Sequence, residues 1–256
     1  EPFPVVVKTL PALEEIASGR VEVSDLRPIE VEDLLGRDPV APEIDLLTAH
    51  VRDKVVMITG AGGSIGSELT RQLLQLGPKV LILFELSEVA LYEIEMEIGE
   101  IKRRIAKDNG GVNLPETRIV SVLGSVLDRR IVARTIRTYG VEVIYHAAAY
   151  KHVPIVEVNQ FVGVQNNTFG TLALAEAAKE HGVERFVLVS SDKAVRPTNV
   201  MGASKRLAEQ ILQALAEQPA AGPGAPTIFT MVRFGNVLDS SGSVVRLFRN
   251  QIQAGG

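Results

Sequence analysis

The chain has 256 residues and no cysteine, carries 27 basic against 31 acidic side chains, and is 46% apolar. This length and apolar content suit one substantial globular core with a small appendage. The absence of cysteine excludes disulfides, thiolate metal sites and cysteine nucleophiles, and the weakly acidic balance gives little electrostatic support for binding nucleic acid or an anionic membrane surface.

Residues 1–50 are predicted to form an N-terminal arm or connector rather than a domain. Leu10–Ala17 is predicted as a helix that ends at Gly19, and Glu30–Leu35 as a second helix that ends at Gly36. Prolines recur through the arm, at positions 2, 4, 11, 28, 39 and 42. We expect the role of the arm to be positional.

The sequence begins with Glu1 rather than methionine, which predicts that the chain is part of a longer protein. It has no stretch long enough to span a bilayer and no signal peptide at its start. We therefore expect this part of the protein to be cytoplasmic and to make no membrane contact of its own.

From Asp53 onward, short β-branched runs alternate with longer helical stretches, as in right-handed βαβ units. The predicted strands are Val55–Thr59, Val80–Glu85, Arg118–Leu123, Val143–His146, Phe186–Ser190 and Ile228–Arg233. The predicted helices are Ile65–Leu76, Glu88–Ala106, Asp128–Tyr139, Gln165–His181 and Met201–Ala216. The alternation predicts a doubly wound, Rossmann-like parallel α/β sheet over residues 51–256, with ligands at the carboxyl ends of its strands.

The first predicted strand runs into a glycine-rich turn, TGAGGSIG at residues 59–66. Glycines at positions 60, 63 and 66 allow a tight turn, a close approach of the backbone to a pyrophosphate, and close packing of the next helix. The amides that open this helix, at Ser64 and Ile65, are predicted to bind the anion. The cofactor-binding candidates of this turn are Gly60, Gly63, Ser64, Ile65 and Gly66. A simple strand-to-helix connection is the alternative interpretation.

Glu85 closes the second strand about twenty residues after the turn, where an acidic side chain accepts both ribose hydroxyls and repels a 2′-phosphate. This favours NAD over NADP; the alternative is an exposed glutamate at a strand end. Ser125 and Val126, after the third strand, are expected at the adenine edge. Ala147, Ala148 and Ala149 follow the fourth strand and are small enough for the backbone to lie flat against a cofactor.

Ser191, Asp192 and Lys193 follow the fifth strand, and Met201 and Lys205 lie one turn apart on the next helix. A hydroxyl, a carboxylate and an amine together at the carboxyl end of a strand form a set suited to proton transfer. Each of them alone is also compatible with a capped turn or a surface charge. The four histidines have no metal-ligand spacing, so no metal site is predicted.

The motifs at residues 59–66, 146–154, 191–194, 201–205 and 233–237 resemble those of extended short-chain dehydrogenases. Within these, the chain is similar to the nucleotide-sugar 4,6-dehydratases of polysaccharide biosynthesis, over roughly residue 51 to the end. The Asp-Lys pair resembles the subgroup that acts on UDP-N-acetylglucosamine, whereas dehydratases of dTDP- and GDP-hexoses usually carry Asp-Glu there. The arm resembles the connector of long members anchored in the inner membrane, and the chain is expected to stop short of the family's C-terminal substrate segment.

The resemblance implies an internal redox cycle without net consumption of NAD. Hydride leaves C4 of the sugar, water is lost across C5 and C6, and hydride returns to C6. Ser191 is then placed against the C4 oxygen, Asp192 is the acid for the leaving hydroxyl, and Lys193 is the base at C5. A lysine base requires a pKa well below its free value. Lys205 is placed on the nicotinamide ribose.

One residue departs from the usual family pattern. The catalytic tyrosine expected four residues before Lys205 is replaced by Met201, whose thioether cannot take a proton. Some long members share this methionine, which favours retention of configuration at C5. Either Asp192 or a water ordered by Ser191 and Lys205 is expected to take the proton of the 4-hydroxyl.

The resemblance also suggests the substrate contacts and the partners. Lys151, Arg233 and Asn236 are predicted to bind the UDP-sugar. Arg246 and Arg249 are further candidates, with surface charge as the alternative. A homodimer or higher homo-oligomer through a helix is expected.

Two other functions stay open. One is a nucleotide-sugar 4-epimerase or reductase on the same fold, although neither reaction needs an acid for C6 and the Asp192-Lys193 pair therefore argues against it. The other is a non-catalytic NAD-binding module in a glycan-assembly complex, with Met201 as the mark of lost chemistry.

Overall fold

The computed structural model describes residues 8–9, 27–28, 40–108, 117–219, 225–237 and 251. The chain divides into two compact units, residues 1–42 and 43–256. In the first unit, strands Lys8–Thr9 (β1) and Arg27–Pro28 (β2) pair antiparallel. The predicted arm helices, Leu10–Ala17 and Glu30–Leu35, lie outside the described residues.

The second unit alternates strands and helices as predicted. Its strands are Val55–Thr59 (β3), Val80–Glu85 (β4), Arg118–Leu123 (β5), Val143–His146 (β6), Arg185–Val189 (β7) and Ile228–Val232 (β8). Its helices are Ile44–Ala49 (α1), Ser64–Gln75 (α2), Glu88–Asp108 (α3), Arg129–Tyr139 (α4), Val153–Val158 (α5), Gln160–Val164 (α6), Gly170–Glu180 (α7) and Val200–Glu217 (α8), with a π turn at Gln165–Phe169 and a 3₁₀ turn at Asp192–Ala194. Of the helices in the described residues, none is both long and apolar enough to cross a lipid bilayer.

The six strands of the second unit form one parallel sheet in the order β5-β4-β3-β6-β7-β8. Strands β4 and β5 are added on one side of β3, and strands β6, β7 and β8 are then added on its other side. The strand order therefore reverses between β3 and β6, which is where ligands bind in open α/β sheets. The predicted doubly wound sheet is confirmed, with β7 beginning and ending one residue earlier than expected.

Helices cover both faces of this sheet. On one face Met57 packs with Leu174 of α7 and Leu212 of α8. On the other, Ile58 packs with Leu73 of α2 and with α3. Successive residues of a strand point to opposite faces, and a strand covered on both sides is apolar throughout. This explains the continuous apolar run of β3, all of which is buried.

Residues 153–169 differ from the sequence prediction. A single helix over Gln165–His181 was expected, but its first turn is a π turn, and two short helices, α5 and α6, precede it. Pro154 lies in the first turn of α5, where its missing N–H costs nothing. Asn159, with φ −129° and ψ 48°, separates α5 from α6. A π turn has i→i+5 bonding, so a search for a 3.6-residue period does not detect it.

Gly60 is predicted to tolerate no side chain. Its φ is +68°, and a Cβ there would lie 2.7 Å from the backbone nitrogen of Ala148. We expect Gly60→Ala to lower the free energy of unfolding by at least about 1–3 kcal/mol, the cost of the strained backbone alone. Urea unfolding followed by circular dichroism measures this.

Gly99 is the matched control. It lies inside α3, and a Cβ there would meet nothing within 4 Å. Gly99→Ala is therefore expected to stabilise the chain by roughly 0.5–1 kcal/mol. Equal effects of the two substitutions would contradict the special constraint at Gly60.

Candidate active site

Two adjoining cavities lie at the carboxyl ends of the central strands, of about 740 Å³ and 230 Å³. Of the residues predicted as site residues, the larger cavity is lined by Gly60, Gly63, Ser64, Ile65, Gly66, Ala147, Ala149, Lys151, Ser191, Lys193, Met201, Lys205 and Asn236. The smaller is lined by Glu85, Ser125, Val126 and Ala148, together with Gly60, Gly63, Ala147 and Ala149. Asp192 and Arg233 line neither cavity, and Arg246 and Arg249 lie outside the described residues.

The glycine turn faces both cavities at Gly63. A Cβ at Gly66 would collide with the carbonyl of Gly60, so Gly66 allows α2 to pack on the turn. A Cβ at Gly63 would meet only that carbonyl, at 3.3 Å, so the constraint from the protein is weak there and the backbone is open to the cavity. Ile65 lies in the first turn of α2, whose amides have no partners inside the helix and whose end carries a partial positive charge. The turn therefore fits an anionic group such as a pyrophosphate.

Glu85 ties the end of β4 to this turn. Its Oε2 accepts a hydrogen bond from the amide of Gly62 at 3.1 Å, and its Oε1 accepts from the amides of Leu86 and Ser87 at 2.8 and 3.0 Å. A carboxylate has about four acceptor positions, so these bonds leave capacity for ribose hydroxyls. The predicted ribose contact stays a prediction; the bond to Gly62 is a further role that the sequence did not indicate.

Ser191, Asp192 and Lys193 form the compact turn predicted as the proton-transfer set. Ser191 caps the 3₁₀ turn, since its Oγ accepts from the amide of Lys193 at 3.2 Å. Both Ser191 Oγ and Lys193 Nζ donate to Asp192 Oδ1, at 3.0 and 3.1 Å. Lys193 Nζ also donates to Oδ1 of Asn236 at 3.0 Å. The bond from Lys193 holds the pKa of the Asp192 carboxyl below its usual value, so the charged form is favoured.

Met201 and Lys205 share one wall of the larger cavity, with exposed fractions of 3% and 7%. Lys205 Nζ donates to the carbonyl of Val189 at 2.9 Å, and burial lowers the pKa of this amine to about 8. A Cβ at Gly202 would collide with the carbonyl of Lys193. This glycine therefore lets α8 approach the 3₁₀ turn and brings Met201 and Lys193 to the same cavity.

Arg233 has a partner within the protein, and its predicted contact with the substrate stays a prediction. Its guanidinium donates to the carboxylate of Glu209, with Nε to Oε1 at 2.8 Å and Nη2 to Oε2 at 2.5 Å. Glu209 is fully buried in α8. Glu209 was not among the predicted site residues, although a glutamate four residues after Lys205 on an apolar helix face was an available signal.

Asn167 of the π turn is a second residue that sequence reasoning missed. Its side chain accepts from the amide of Tyr150 at 2.8 Å and donates to the carbonyl of Tyr150 and to Oγ of Ser204, both at 3.0 Å. It therefore fastens the loop after β6 to α8. The pair of asparagines at 166–167, buried within a helical stretch, was the available signal.

His146, at the end of β6, is 1% exposed and is held on both sides. Its Nδ1 lies 2.6 Å from Thr59 Oγ1 and its Nε2 lies 2.9 Å from Thr171 Oγ1. Thr171 donates its own proton to the carbonyl of Asn167, so it must accept from the imidazole, which assigns the proton to Nε2. Burial, followed by the charge of Lys205, lowers the pKa of His146 to about 3. Within the described ranges, no three histidine, aspartate or glutamate side chains are grouped to bind a metal ion.

Comparison with known proteins gives consistent relatives. Residues 56–256 match the family model described as "Polysaccharide biosynthesis protein". Capsular polysaccharide biosynthesis protein CapD of Staphylococcus aureus is 42% identical over 247 residues, which cover 96% of this chain and 39% of CapD. The UDP-glucose 4-epimerase of Rickettsia rickettsii is 33% identical over 203 residues, covering 79% of this chain and 54% of the epimerase. The chain thus spans about two-fifths to one-half of the length of these relatives.

Solved structures share the fold. Pen from Bacillus thuringiensis is 32% identical with a TM-score of 0.69, covering 80% of this chain and 59% of Pen. DesIV, a dTDP-glucose 4,6-dehydratase from Streptomyces venezuelae solved with NAD and TYD bound, is 21% identical with a TM-score of 0.61, covering 78% of this chain and 62% of DesIV. At that lower identity, the likeness to DesIV concerns the fold alone.

His146 is expected to make the fold sensitive to acid. Its folded pKa of about 3 lies below the ordinary value of 6.5, so its stabilising effect is complete above pH 6.5 and declines as pH falls toward 3. At pH 5 the loss from this one group amounts to about 2 kcal/mol. Urea unfolding at pH 7 and pH 5 measures it.

His146→Asn is expected to be less stable at pH 7 but to lose less stability between pH 7 and pH 5. If His146→Asn shows the same loss as the wild type, His146 is not the group that titrates.

Proposed function

The chain belongs to the polysaccharide biosynthesis protein family, of the extended short-chain dehydrogenase type, and on this premise we propose that it dehydrates a UDP-N-acetylhexosamine. The substrate we propose is UDP-N-acetylglucosamine and the product its 4-keto-6-deoxy derivative. The observation that carries the proposal is the larger cavity: Ser191, Lys193 and Lys205 line it together with the glycine turn. Oxidation and elimination on a nucleotide sugar require groups that transfer protons next to a site that binds an anion, and the side chains of the turn after β7 and the glycine turn supply these two parts.

NAD is the proposed cofactor, and the chain's residues fit it. The open backbone at Gly63 and the first turn of α2 suit its pyrophosphate, and Glu85 suits a ribose. Ser125 and Val126 line the smaller cavity and are proposed to contact the adenine; Lys205 lines the larger cavity and is proposed to contact the nicotinamide ribose. NAD supplies the reversible oxidation of the sugar at C4.

The proton of the 4-hydroxyl is proposed to move to Asp192. Ser191 Oγ lines the cavity and donates to Asp192 Oδ1, so it can take the substrate proton while passing its own to the carboxylate. This route suits a carboxylate that is charged at rest and does not itself line the cavity. It supplies the base that Met201 cannot provide.

The same proton then serves the elimination. Asp192, protonated in the first step, passes its proton back through Ser191 Oγ to the departing 6-hydroxyl, which leaves as water. Lys193 Nζ, after its resting proton has passed to water, removes the C5 proton. The protons of the resulting ammonium exchange with water, and one of them is delivered to C5 after the reduction at C6. Since one group on one face removes a proton and delivers one, configuration at C5 is retained. Protons balance without an outside donor.

A 4-epimerase is the second candidate, favoured by the 33% identity with the Rickettsia rickettsii enzyme. An epimerase oxidises C4 and reduces it again from the other face, which needs no acid for C6. A non-catalytic NAD-binding module is the third. Product analysis separates all three.

With NAD and UDP-N-acetylglucosamine deuterated at C4, the chain is expected to form a 4-keto-6-deoxy product that carries the deuterium at C6. In D₂O, unlabelled substrate should gain one deuterium at C5. NMR and mass spectrometry of the product measure both. Return of the label to C4 would favour the epimerase, and NAD binding without turnover the module.

Lys193→Met is expected to abolish both the product and the exchange at C5, since it removes the amine that is proposed to take the C5 proton. The matched control is Lys79→Met. Lys79 is an exposed lysine at the amino end of β4, on the side of the sheet away from the cavities. Equal loss of activity in both variants would argue against a specific role of Lys193.

Met201→Tyr tests the route around methionine. If Ser191 and Asp192 accept the proton of the 4-hydroxyl, a tyrosine hydroxyl at position 201 is not needed as a base. The larger side chain also overpacks a buried position, so turnover should stay unchanged or fall. Met201→Leu, which keeps the volume, should retain activity. Steady-state kcat gives the answer, and a rise of several orders of magnitude in Met201→Tyr would overturn the route.

A further inference from the structure

Glu209 is a buried carboxylate with a complete set of partners. It is 0% exposed. Its Oε1 accepts from Ser190 Oγ at 2.5 Å and from Arg233 Nε at 2.8 Å, and its Oε2 accepts from Arg233 Nη2 at 2.5 Å. Arg206, one turn earlier, lies 3.6 Å from Oε2. Burying a carboxylate is costly unless such partners compensate, so this arrangement requires all of its members.

The partners of Glu209 begin the two segments that border the larger cavity. Ser190 directly precedes the turn of Ser191, Asp192 and Lys193, and Arg233 directly precedes residues 234–236. Backbone hydrogen bonds join these two segments. The amide of Ser190 donates to the carbonyl of Val232 at 2.8 Å, and the amide of Asp192 donates to the carbonyl of Phe234 at 3.1 Å. Lys193 Nζ adds its 3.0 Å bond to Asn236. Glu209 holds both segments from a third element, α8.

Lys205 lies one helical turn before Glu209, and side chains four residues apart on a helix are neighbours. Lys205 is nearly buried, and the negative charge of Glu209 opposes the loss of its proton. Other titratable or charged groups on the elements around Lys205 include Arg206 on α8, His146 on β6, Asp192 and Lys193 after β7, Arg233 after β8, Glu157 on α5, and Tyr150, Lys151 and His152 in the loop after β6.

We propose that Glu209 is a positioning residue that fixes the segments carrying Asp192, Lys193 and Asn236 and keeps the Lys205 ammonium charged. Through Ser190 and Arg233 it acts on the geometry of the proton-transfer turn; through its charge it acts on Lys205. It touches neither cavity itself. The importance of these segments for catalysis rests on the proposed function, whereas their geometry and the titration of Lys205 can be measured without it.

The decisive experiment follows the titration of Lys205 by NMR in the chain alone, with isotope-labelled lysine and no cofactor or substrate. The signal is assigned by its absence in Lys205→Arg. Glu209→Gln is expected to lower the midpoint by about one pH unit or more, because it removes a negative charge and leaves the positive charge of Arg233 uncompensated. Glu209→Asp, which keeps the charge, should stay near the wild type.

Glu157→Gln is the matched control. Glu157 Oε1 accepts from the amide of Val200 at 2.5 Å, so this variant also weakens a carboxylate contact to α8 without touching Ser190 or Arg233. It should leave the Lys205 midpoint unchanged even if it lowers thermal stability, because burial and Glu209, and not Glu157, set the pKa of Lys205. A wild-type midpoint in folded Glu209→Gln, or an equal shift in Glu157→Gln, overturns the proposal.

Two milder variants keep the inference testable if Glu209→Gln does not fold. Ser190→Ala and Arg233→Lys each loosen one connection and preserve the charge of Glu209. The amide of Asp192, which depends on the segment after Arg233, should exchange with solvent roughly tenfold faster in Arg233→Lys. Unchanged exchange in both variants overturns the positioning role. Because none of these readouts needs turnover, they hold whether or not the dehydratase activity is found.

Discussion

The site depends on how closely two pieces of backbone approach each other at the switch point of the sheet. Gly60 ends β3 in the left-handed region, and the backbone of Ala147 and Ala148 passes where its side chain would be. This contact joins two halves of the sheet. One half carries the glycine turn after β3, and the other carries the turn of Ser191, Asp192 and Lys193 after β7. Since strands β3 and β6 are hydrogen-bonded neighbours, the constraint is rigid. Both cavities open from this junction.

Helix α8 positions the part of the site that lies at the ends of β7 and β8. Met201, Lys205 and Glu209 follow one another at intervals of four, so they form one stripe facing the ends of β7 and β8. The stripe changes from apolar to positive to negative along the helix. Each of the two charges is buried, and each is bound to the strand ends: Lys205 to Val189, Glu209 to Ser190 and Arg233. Buried polar groups of this kind specify one arrangement when all are satisfied.

Met201 shifts the proposed proton chemistry from this helix to the turn after β7. A phenol on α8 would share the cavity wall with Lys205, whereas a thioether offers no proton. The turn supplies what is missing, because Ser191 and Lys193 converge on one oxygen of Asp192. The carboxylate is thereby kept charged and able to accept a proton, and Lys193 Nζ also donates to Asn236 Oδ1. The segments after β7 and β8 are therefore as important to the proposed reaction as the helix.

Most of the fold is determined by local patterns of the sequence. The six strands, their parallel direction and the glycine turn follow from periodicity, β-branched runs and residues that only a tight turn demands, all of which are read from the sequence itself. The same signals placed Ser191, Lys193, Met201 and Lys205 at a strand end or on one helix face, and the structure brings these four to one cavity.

Only the tertiary structure decided the partners of the charged side chains. Arg233 was expected on the substrate and binds Glu209, Glu85 holds the amide of Gly62, and the π turn at Gln165–Phe169 replaces the start of a predicted helix. The reason is the same in each case. A charge or a buried amide also takes partners that are close only in space: the amide of Gly62 lies 23 residues from Glu85 and Glu209 lies 24 from Arg233, beyond the reach of any local pattern.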